Sequence, residues 1–397
     1  MALVVTLSAE ARLRYESFAD PAWGDDTDDG YLWLRLISSA KVEAGATSIF
    51  VEPIIGYANG VASGPGPIDT TGIDLLQAHA DYSLNLSPGT RLRFSRGRAL
   101  IGLGSERLIG RRYGPNIPQP FDGATLRLEC GAVRVDAVAV EAVDIGPGDF
   151  DDRSGGRRRL RTIYLTAPIA AGFNADLYWI GYRQRGARLG NALGTEQRDT
   201  FGLRLFGMRG RLGWNRETMF QRGSFSGQRI AAWSQATETT LALSEEGLLR
   251  QLRLRANYAS GNRAVTAERL ESFNAMFPKG RYFGELTPLG PRNIINFNPA
   301  IVLQPIRALQ VELNTAAYWR ASRTDGIYDL AGQEIRPAGA TRTRHVGNLI
   351  EANVSLEAAD GFNLAASVGE FIAGRFIRQS GSTNTIYRFA LEANFEL

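Results

Sequence analysis

Residues 385–397 read T-I-Y-R-F-A-L-E-A-N-F-E-L, and this segment limits what the chain can become. Side chains alternate across a strand, so Tyr387, Phe389, Leu391, Ala393, Phe395 and Leu397 share one face. Arg388, Glu392, Asn394 and Glu396 share the other. A strand that is aromatic and aliphatic along one whole side, and charged along the other, suits a wall with hydrocarbon outside and water inside.

The pattern recurs along the whole chain. Leu252, Leu254, Ala256 and Tyr258 alternate with Gln251, Arg253, Arg255 and Asn257. Leu76, Ala78, Ala80, Tyr82 and Leu84 alternate with Gln77, His79, Asp81, Ser83 and Asn85, and Leu7 to Tyr15 alternate with Ser8 to Glu16 in the same way. Period-two patterning of this length specifies strand rather than helix. About 18 such segments are present, each near the ~9–11 residues that a tilted strand needs to cross a bilayer. They begin near Thr6, Tyr31, Thr47, Ile73, Arg91, Ala124, Ala132, Leu160 and Phe173, then near Arg198, Arg211, Gln228, Arg250, Ile294, Leu309, Val346, Phe362 and Thr385.

The connections alternate in length. Residues 20–30, 58–72, 102–120, 144–159, 184–197, 260–292 and 322–344 are long and rich in Gly, Pro or charge. Residues 42–45, 87–89, 130–131, 168–172, 207–210, 305–308 and 359–361 are tight. Long extracellular loops and short periplasmic turns are the construction of an all-β transmembrane antiparallel up-and-down barrel. No linker or shift in pattern divides the 397 residues, so residues 1–397 form one outer-membrane barrel domain. A mean hydropathy of −0.17 fits a wall in which only alternate residues meet lipid. No apolar run of ~18 residues exists for a spanning helix. Within lipid every backbone amide must be paired, which leaves closure of the sheet as the spanning solution. No repeat of ~40–50 residues marks a propeller.

The first strand begins almost at Met1. The chain is therefore expected to be a mature Gram-negative outer-membrane protein whose export signal is absent, with Met1 an added start. Cys130 is the sole cysteine, so no internal disulfide forms.

Only Lys41 and Lys279 are lysines among 45 basic side chains. Arg12, Arg14, Arg35, Arg91, Arg93, Arg127, Arg134, Arg204, Arg253, Arg255, Arg320 and Arg388 fall on the polar phase of their strands. A charge facing lipid at mid-depth costs ~2–4 kcal/mol, so these side chains are expected to line the lumen. Glu10, Glu52, Asp81, Glu129, Asp136, Asp176, Glu217, Glu312, Glu351 and Glu392 share that face. The lumen is thus expected to be a ladder of mixed charge, some arginines tied to carboxylates and the surplus free to pass anions along.

Other chemistry is weakly signalled. His79 and His345 are the two histidines; His79 lies two residues from Asp81, but no Ser–His–carboxylate set accompanies it, which argues against a barrel-borne hydrolase. Asp25, Asp26, Asp28 and Asp29 make an acidic outer loop that resembles a calcium loop but lacks the final Glu of an EF-hand frame. Arg157, Arg158 and Arg159 are expected on an outer loop, where they would be solvated or meet lipopolysaccharide phosphates. Trp179, Trp214, Trp233 and Trp319 fit an aromatic girdle.

Several longer motifs resemble the alginate-export family of outer-membrane barrels. Arg12-Leu13-Arg14-Tyr15-Glu16 is similar to that family's opening R-x-R-x-E strand. Gly97-Arg98, Arg107-Leu108-Ile109-Gly110 and Phe121-Asp122-Gly123 are similar to its GR…RLIG…FDG stretch, and Phe273-Asn274-Ala275-Met276-Phe277-Pro278-Lys279-Gly280-Arg281-Tyr282-Phe283-Gly284 to its most recognisable segment. Tyr318-Trp319-Arg320-Ala321-Ser322 with Asp325-Gly326-Ile327-Tyr328 resembles another. The resemblance implies a monomeric barrel of 18 strands whose arginine-rich constriction passes anionic uronate polymer. On this chain it implicates Arg12, Arg14, Arg35, Arg93, Arg98, Arg127, Arg320 and Arg388.

The resulting expectation is a cofactor-free channel for passive diffusion of anionic oligo- or polysaccharide, by polyuronate export or oligouronate uptake. Its lumen path is assigned to Arg12, Arg14, Arg35, Arg93, Arg98, Arg127, Arg204, Arg253, Arg255, Arg320 and Arg388 with Asp81, Glu129 and Glu312. The runner-up is a general anion-selective porin. Lipid and lipopolysaccharide are expected to surround it, and no nucleic acid is expected as a partner.

Overall fold

The computed structural model describes residues 3–112, 114–189, 192–263 and 268–397. Met1, and with it the expectation of an added start, lies outside the described residues. Eighteen long strands form the wall among the described residues: Leu3–Ala19, Asp29–Ala44, Thr47–Asn59, Thr71–Ser87, Thr90–Leu100, Pro120–Cys130, Val133–Ala142, Arg158–Ala170, Phe173–Leu189, Ala192–Arg209, Leu212–Phe225, Gln228–Ala242, Leu249–Ala259, Ile294–Ile306, Leu309–Arg320, His345–Ala359, Phe362–Ala373 and Ile386–Glu396. Each pairs antiparallel with the next, and the first pairs with the last over Glu10–Glu396 to Ala19–Tyr387, which closes the cylinder. Among the described residues no helix is long and apolar enough to cross a membrane.

The alternation read from the sequence is the alternation of the wall. Leu13, Tyr15, Leu252, Leu254, Phe389 and Leu391 are exposed outward, whereas Arg12, Arg14 and Arg388 are buried inward. Leu76 departs from this. A register irregularity after Glu52, in the pairing of Thr47–Asn59 with Thr71–Ser87, turns Leu76 inward, where it packs with Ile54 and Ile117 rather than facing lipid.

Short turns close one rim, and the long connections leave from the other. The expected long connection at 184–197 is instead a continuation of the wall: Phe173–Leu189 and Ala192–Arg209 pair almost to their tips, with 190–191 outside the described residues.

The interior differs most from expectation. The inward positions of the long-loop half are apolar rather than charged. Phe121, Val138, Val140, Leu160, Tyr164, Tyr178, Ile180, Met219, Tyr318 and Phe371 form a continuous core with loop residues Leu108, Ile109, Phe273, Phe277, Tyr282 and Phe283. In Val133–Ala142 the stretch Ala137–Val140 is apolar on both faces, because its inward residues Val138 and Val140 join this core while Ala137 and Ala139 face outward.

Candidate functional site

Two loops fold into the barrel and meet. The first, described at 101–112 and 114–119, leaves Thr90–Leu100; the second, described at 260–263 and 268–293, leaves Leu249–Ala259. The Phe277 amide donates to the Leu108 carbonyl at 3.0 Å, the Gly110 amide to the Phe277 carbonyl at 2.8 Å, and the Lys279 amide to the Glu106 carbonyl at 2.9 Å. Phe277 packs edge-on against Phe121 and Tyr182, at 5.0 and 5.9 Å between ring centroids. Backbone groups buried away from water need partners, and here each loop supplies them to the other. The result is a crossbar built from the GSERLIG and FNAMFPKGRYFG segments.

The crossbar is fastened to the wall at several places. Arg107 donates to Glu217 at 2.7 Å, and Ser105 and Tyr178 reach the same carboxylate at 2.5 and 2.7 Å. Burial lowers the Arg107 pKa, but Glu217 beside it more than compensates, so the guanidinium is held above its ordinary value. The Gln221 amide donates to the Asn274 carbonyl at 2.7 Å, and Arg198 to Ser272 at 3.3 Å. On the opposite side Glu285 accepts from Arg14 and Arg388 at 3.2 and 3.4 Å, and the Leu286 amide donates to Glu351 at 2.6 Å.

These fastenings divide the arginines that the sequence grouped together. Arg12 and Arg35 lie opposite each other on adjacent strands. Both are buried: Arg12 donates to the Pro115 carbonyl at 2.9 Å, and Arg35 pairs with Glu10 and reaches the Asn116 carbonyl at 3.3 Å. Arg14 joins Glu16, Glu285 and Glu392, and Arg388 joins Glu16, Glu285 and the Ser367 hydroxyl. Arg98 is held by Asp122 at 2.8 Å with Asp74 at 3.4 Å and Asp152 at 3.8 Å. Arg320 is fully buried at the long-loop rim, bonded to the carbonyls of Asp325, Thr341 and Thr343 and 3.9 Å from the Phe376 ring centroid. It braces a loop; it does not face a water path.

The remaining arginines pair with carboxylates on their own or nearby strands. Arg204 bonds Asp176 at 2.8 Å, Arg253 grips Glu312 with both terminal nitrogens at 2.8 and 2.5 Å, and Arg255 meets Glu238 at 2.5 Å. Arg93 and Arg127 are direct neighbours on adjacent strands, each about two-fifths exposed at the side chain. Arg93 shares Asp81 with His79, and Arg127 shares Asp136 with Arg134. This quarter of the wall therefore holds more guanidinium than carboxylate. Arg93, Arg127, Arg111 of the crossbar loop, Ser95, Thr125 and Asp136 line a cavity of about 190 Å3. Glu129 stands toward the short-turn rim, opposite Arg91 and Arg134 in the pairing. Across the bore a second cavity of about 260 Å3 is lined by Arg14, Arg281, Glu285, Glu312 and Glu392, with Ser355 and Ser367.

The structure also speaks to the other motifs. Ser95 and Asp81 both approach the same nitrogen of His79, Nδ1, at 3.5 and 3.3 Å. A relay needs the nucleophile and the orienting acid on different ring nitrogens, so this is not a catalytic triad. In the acidic outer loop Asp25 pairs with Arg336, Asp28 accepts from the Asp20 amide at 2.8 Å, and Asp29 accepts from the Ala62 amide at 3.0 Å. Among the described residues the carboxylates that do converge are Asp74, Asp151 and Asp152, where Arg98 already supplies the positive charge. Burial, with Asp74 nearby, raises Asp152 to about 6.

Sequence reasoning gave Arg107, Lys279 and Arg281 only as parts of the family motifs, with no place in the site, and did not single out Glu285. A signal was present. A loop carrying Phe273, Phe277, Tyr282 and Phe283 has too much aromatic surface to lie in water.

A closed antiparallel barrel of 18 strands with loops folded into its interior is the architecture of an outer-membrane channel. The chain belongs to the alginate export family, whose model matches residues 4–391. Solved structures share the fold over nearly all of both chains. A BenF-like porin from Pseudomonas fluorescens Pf-5 matches with a TM-score of 0.67 at 11% identity, covering 99% of this chain and 98% of that one. OpdQ of Pseudomonas aeruginosa matches at 0.66 and 11%, and OccK2 (OpdF) of the same organism, solved in complex with glucuronate, at 0.64 and 12%, each with 99% and 98% coverage. No curated protein matches the chain in sequence. The family is one of export channels, and the chain is not an enzyme.

Proposed function

We propose that this barrel conducts anionic saccharides, uronate oligomers or polymers, by diffusion across the outer membrane of a Gram-negative bacterium. The observation that carries this reading is the Arg93–Arg127–Arg134 wall, where three guanidinium groups share two carboxylates beside the crossbar. A uronate carboxylate fits a guanidinium fork in bidentate fashion, and neighbouring forks let it move on without tight binding. The hydroxyls of Ser95 and Thr125 stand beside these forks to meet sugar hydroxyls. The glucuronate held by OccK2, a barrel of the same fold, agrees with a carboxylated sugar as cargo. In this reading one chain is sufficient for the path, since the cylinder closes on itself.

The test is single-channel current in planar bilayers with added oligouronate. Transient blockade, reduced by Arg93→Ala with Arg127→Ala, supports the reading. Anion-selective current with no blockade would make the protein a general anion porin instead.

A further inference from the structure

The arginine run at 157–159 does not behave as one loop. Arg158 turns inward, 3.1 Å from Asp144 and 5.3 Å from the Phe277 ring centroid. Arg157 and Arg159 turn outward. Arg159 stands directly opposite Arg183 on the next strand, and the Arg185 amide donates to the Arg157 carbonyl at 2.9 Å. Arg161 continues the same outward face of its strand. All five side chains are exposed.

This arrangement is costly as it stands. Like charges directly opposed across two strands repel. Glu141 answers Arg159 at 2.7 Å. Among the described residues, no carboxylate lies at ion-pair distance from Arg161, Arg183 or Arg185. The nearby Asp199 takes the Trp179 indole N–H, at 2.9 Å.

The cluster also has a defined height. Two residues below Arg161 is exposed Ile163, paired with Trp179; Leu177 and Ile169 continue the apolar band below. The guanidinium groups therefore stand just above the aromatic level where hydrocarbon gives way to head groups.

We propose that the outward face of Arg159, Arg161, Arg183 and Arg185 is a docking site for the phosphate groups of a phosphorylated glycolipid in the outer leaflet. Strands ~4.8 Å apart, with same-face residues ~6.8 Å apart along each, place these four cations within the span of one diphosphorylated head group. Each phosphate accepts several charge-assisted hydrogen bonds, and the acyl chains lie along Ile163 and Leu177. The argument uses the outside of the wall only and does not depend on what the bore conducts.

The test is native mass spectrometry of the full chain in detergent, titrated with diphosphorylated lipid A and, separately, with its dephosphorylated form. The diphosphorylated lipid is expected to stay bound, and the dephosphorylated form to bind at least about tenfold more weakly. Arg161→Ser with Arg183→Ser should abolish that difference while the barrel keeps its heat-modifiable folded band. Equal retention of the two lipids by the unaltered protein overturns the proposal, and this arm decides the matter even where the double variant folds poorly. Wild-type retention of the diphosphorylated lipid by a folded double variant overturns it equally.

Discussion

Phe277 donates its amide to the carbonyl of Leu108 at 3.0 Å inside the barrel, although the two residues belong to loops that leave the wall on well separated strands. That bond, with the return bond from Gly110, makes one crossbar out of two loops. The width of the bore is therefore set by packing in its interior rather than by the wall. Phe277→Ala removes a fully buried aromatic ring and should weaken docking of the crossbar by about 3–5 kcal/mol. The expected result is a larger and noisier single-channel conductance with an unchanged heat-modifiable band on gels. An unchanged conductance would mean that the crossbar does not limit flow.

Arg93 and Arg127 stand side by side on adjacent strands, and each shares its carboxylate, Asp81 with His79 and Asp136 with Arg134. Replacing both by Ala should move the reversal potential in a salt gradient toward cation selectivity. Screening acts over ~10 Å at 0.1 M salt, so the selectivity of the unaltered protein should also flatten as ionic strength rises. Adding Arg320→Ala to the pair should change neither measurement further, because Arg320 lies beneath a loop.

Arg320→Ala should act on stability instead. Its loss strands the buried carbonyl of Asp325, at about 1–3 kcal/mol, and frees the part-buried carbonyls of Thr341 and Thr343 at lower cost. The loop at 321–344 should become sensitive to limited proteolysis in folded barrels, while the wall strands stay resistant.

Lys279 should make docking of the crossbar depend on pH. Burial lowers its pKa, Arg255 and Arg107 lower it further, and Glu238 and Glu106 oppose them; the outcome is about 8, against an ordinary 10.5. Between these values the undocked loop binds more protons than the docked one, so docking should strengthen as pH rises from 8 to 10.5. Lys279→Met should remove that dependence. The fraction of time spent in the larger-conductance state, recorded across this window, measures both effects.

The wall was legible because its physics is local. Water on one side and hydrocarbon on the other impose a period of two, and all eighteen starting points read from the sequence lie close to an observed strand. The largest displacement, Arg198 against an observed start at Ala192, arises because hydrogen bonding continues beyond the bilayer into the hairpin tip. Leu76 was misplaced because one irregularity in register exchanges the two faces, and no side chain announces it. The contents of the bore were less legible. Arg12, Arg35 and Arg320 follow the same alternation as Arg93, and period-two patterning reports which side a residue faces, not what covers it. Pro115, Asn116 and Thr343 cover them from far along the chain.

Because the first and last strands are stitched to each other, the perimeter of this cylinder is a hoop of fixed length that cannot dilate without tearing a seam. Throughput is then left to the furniture inside, the docked loops and the inward side chains of the staves, while the number of staves stays fixed.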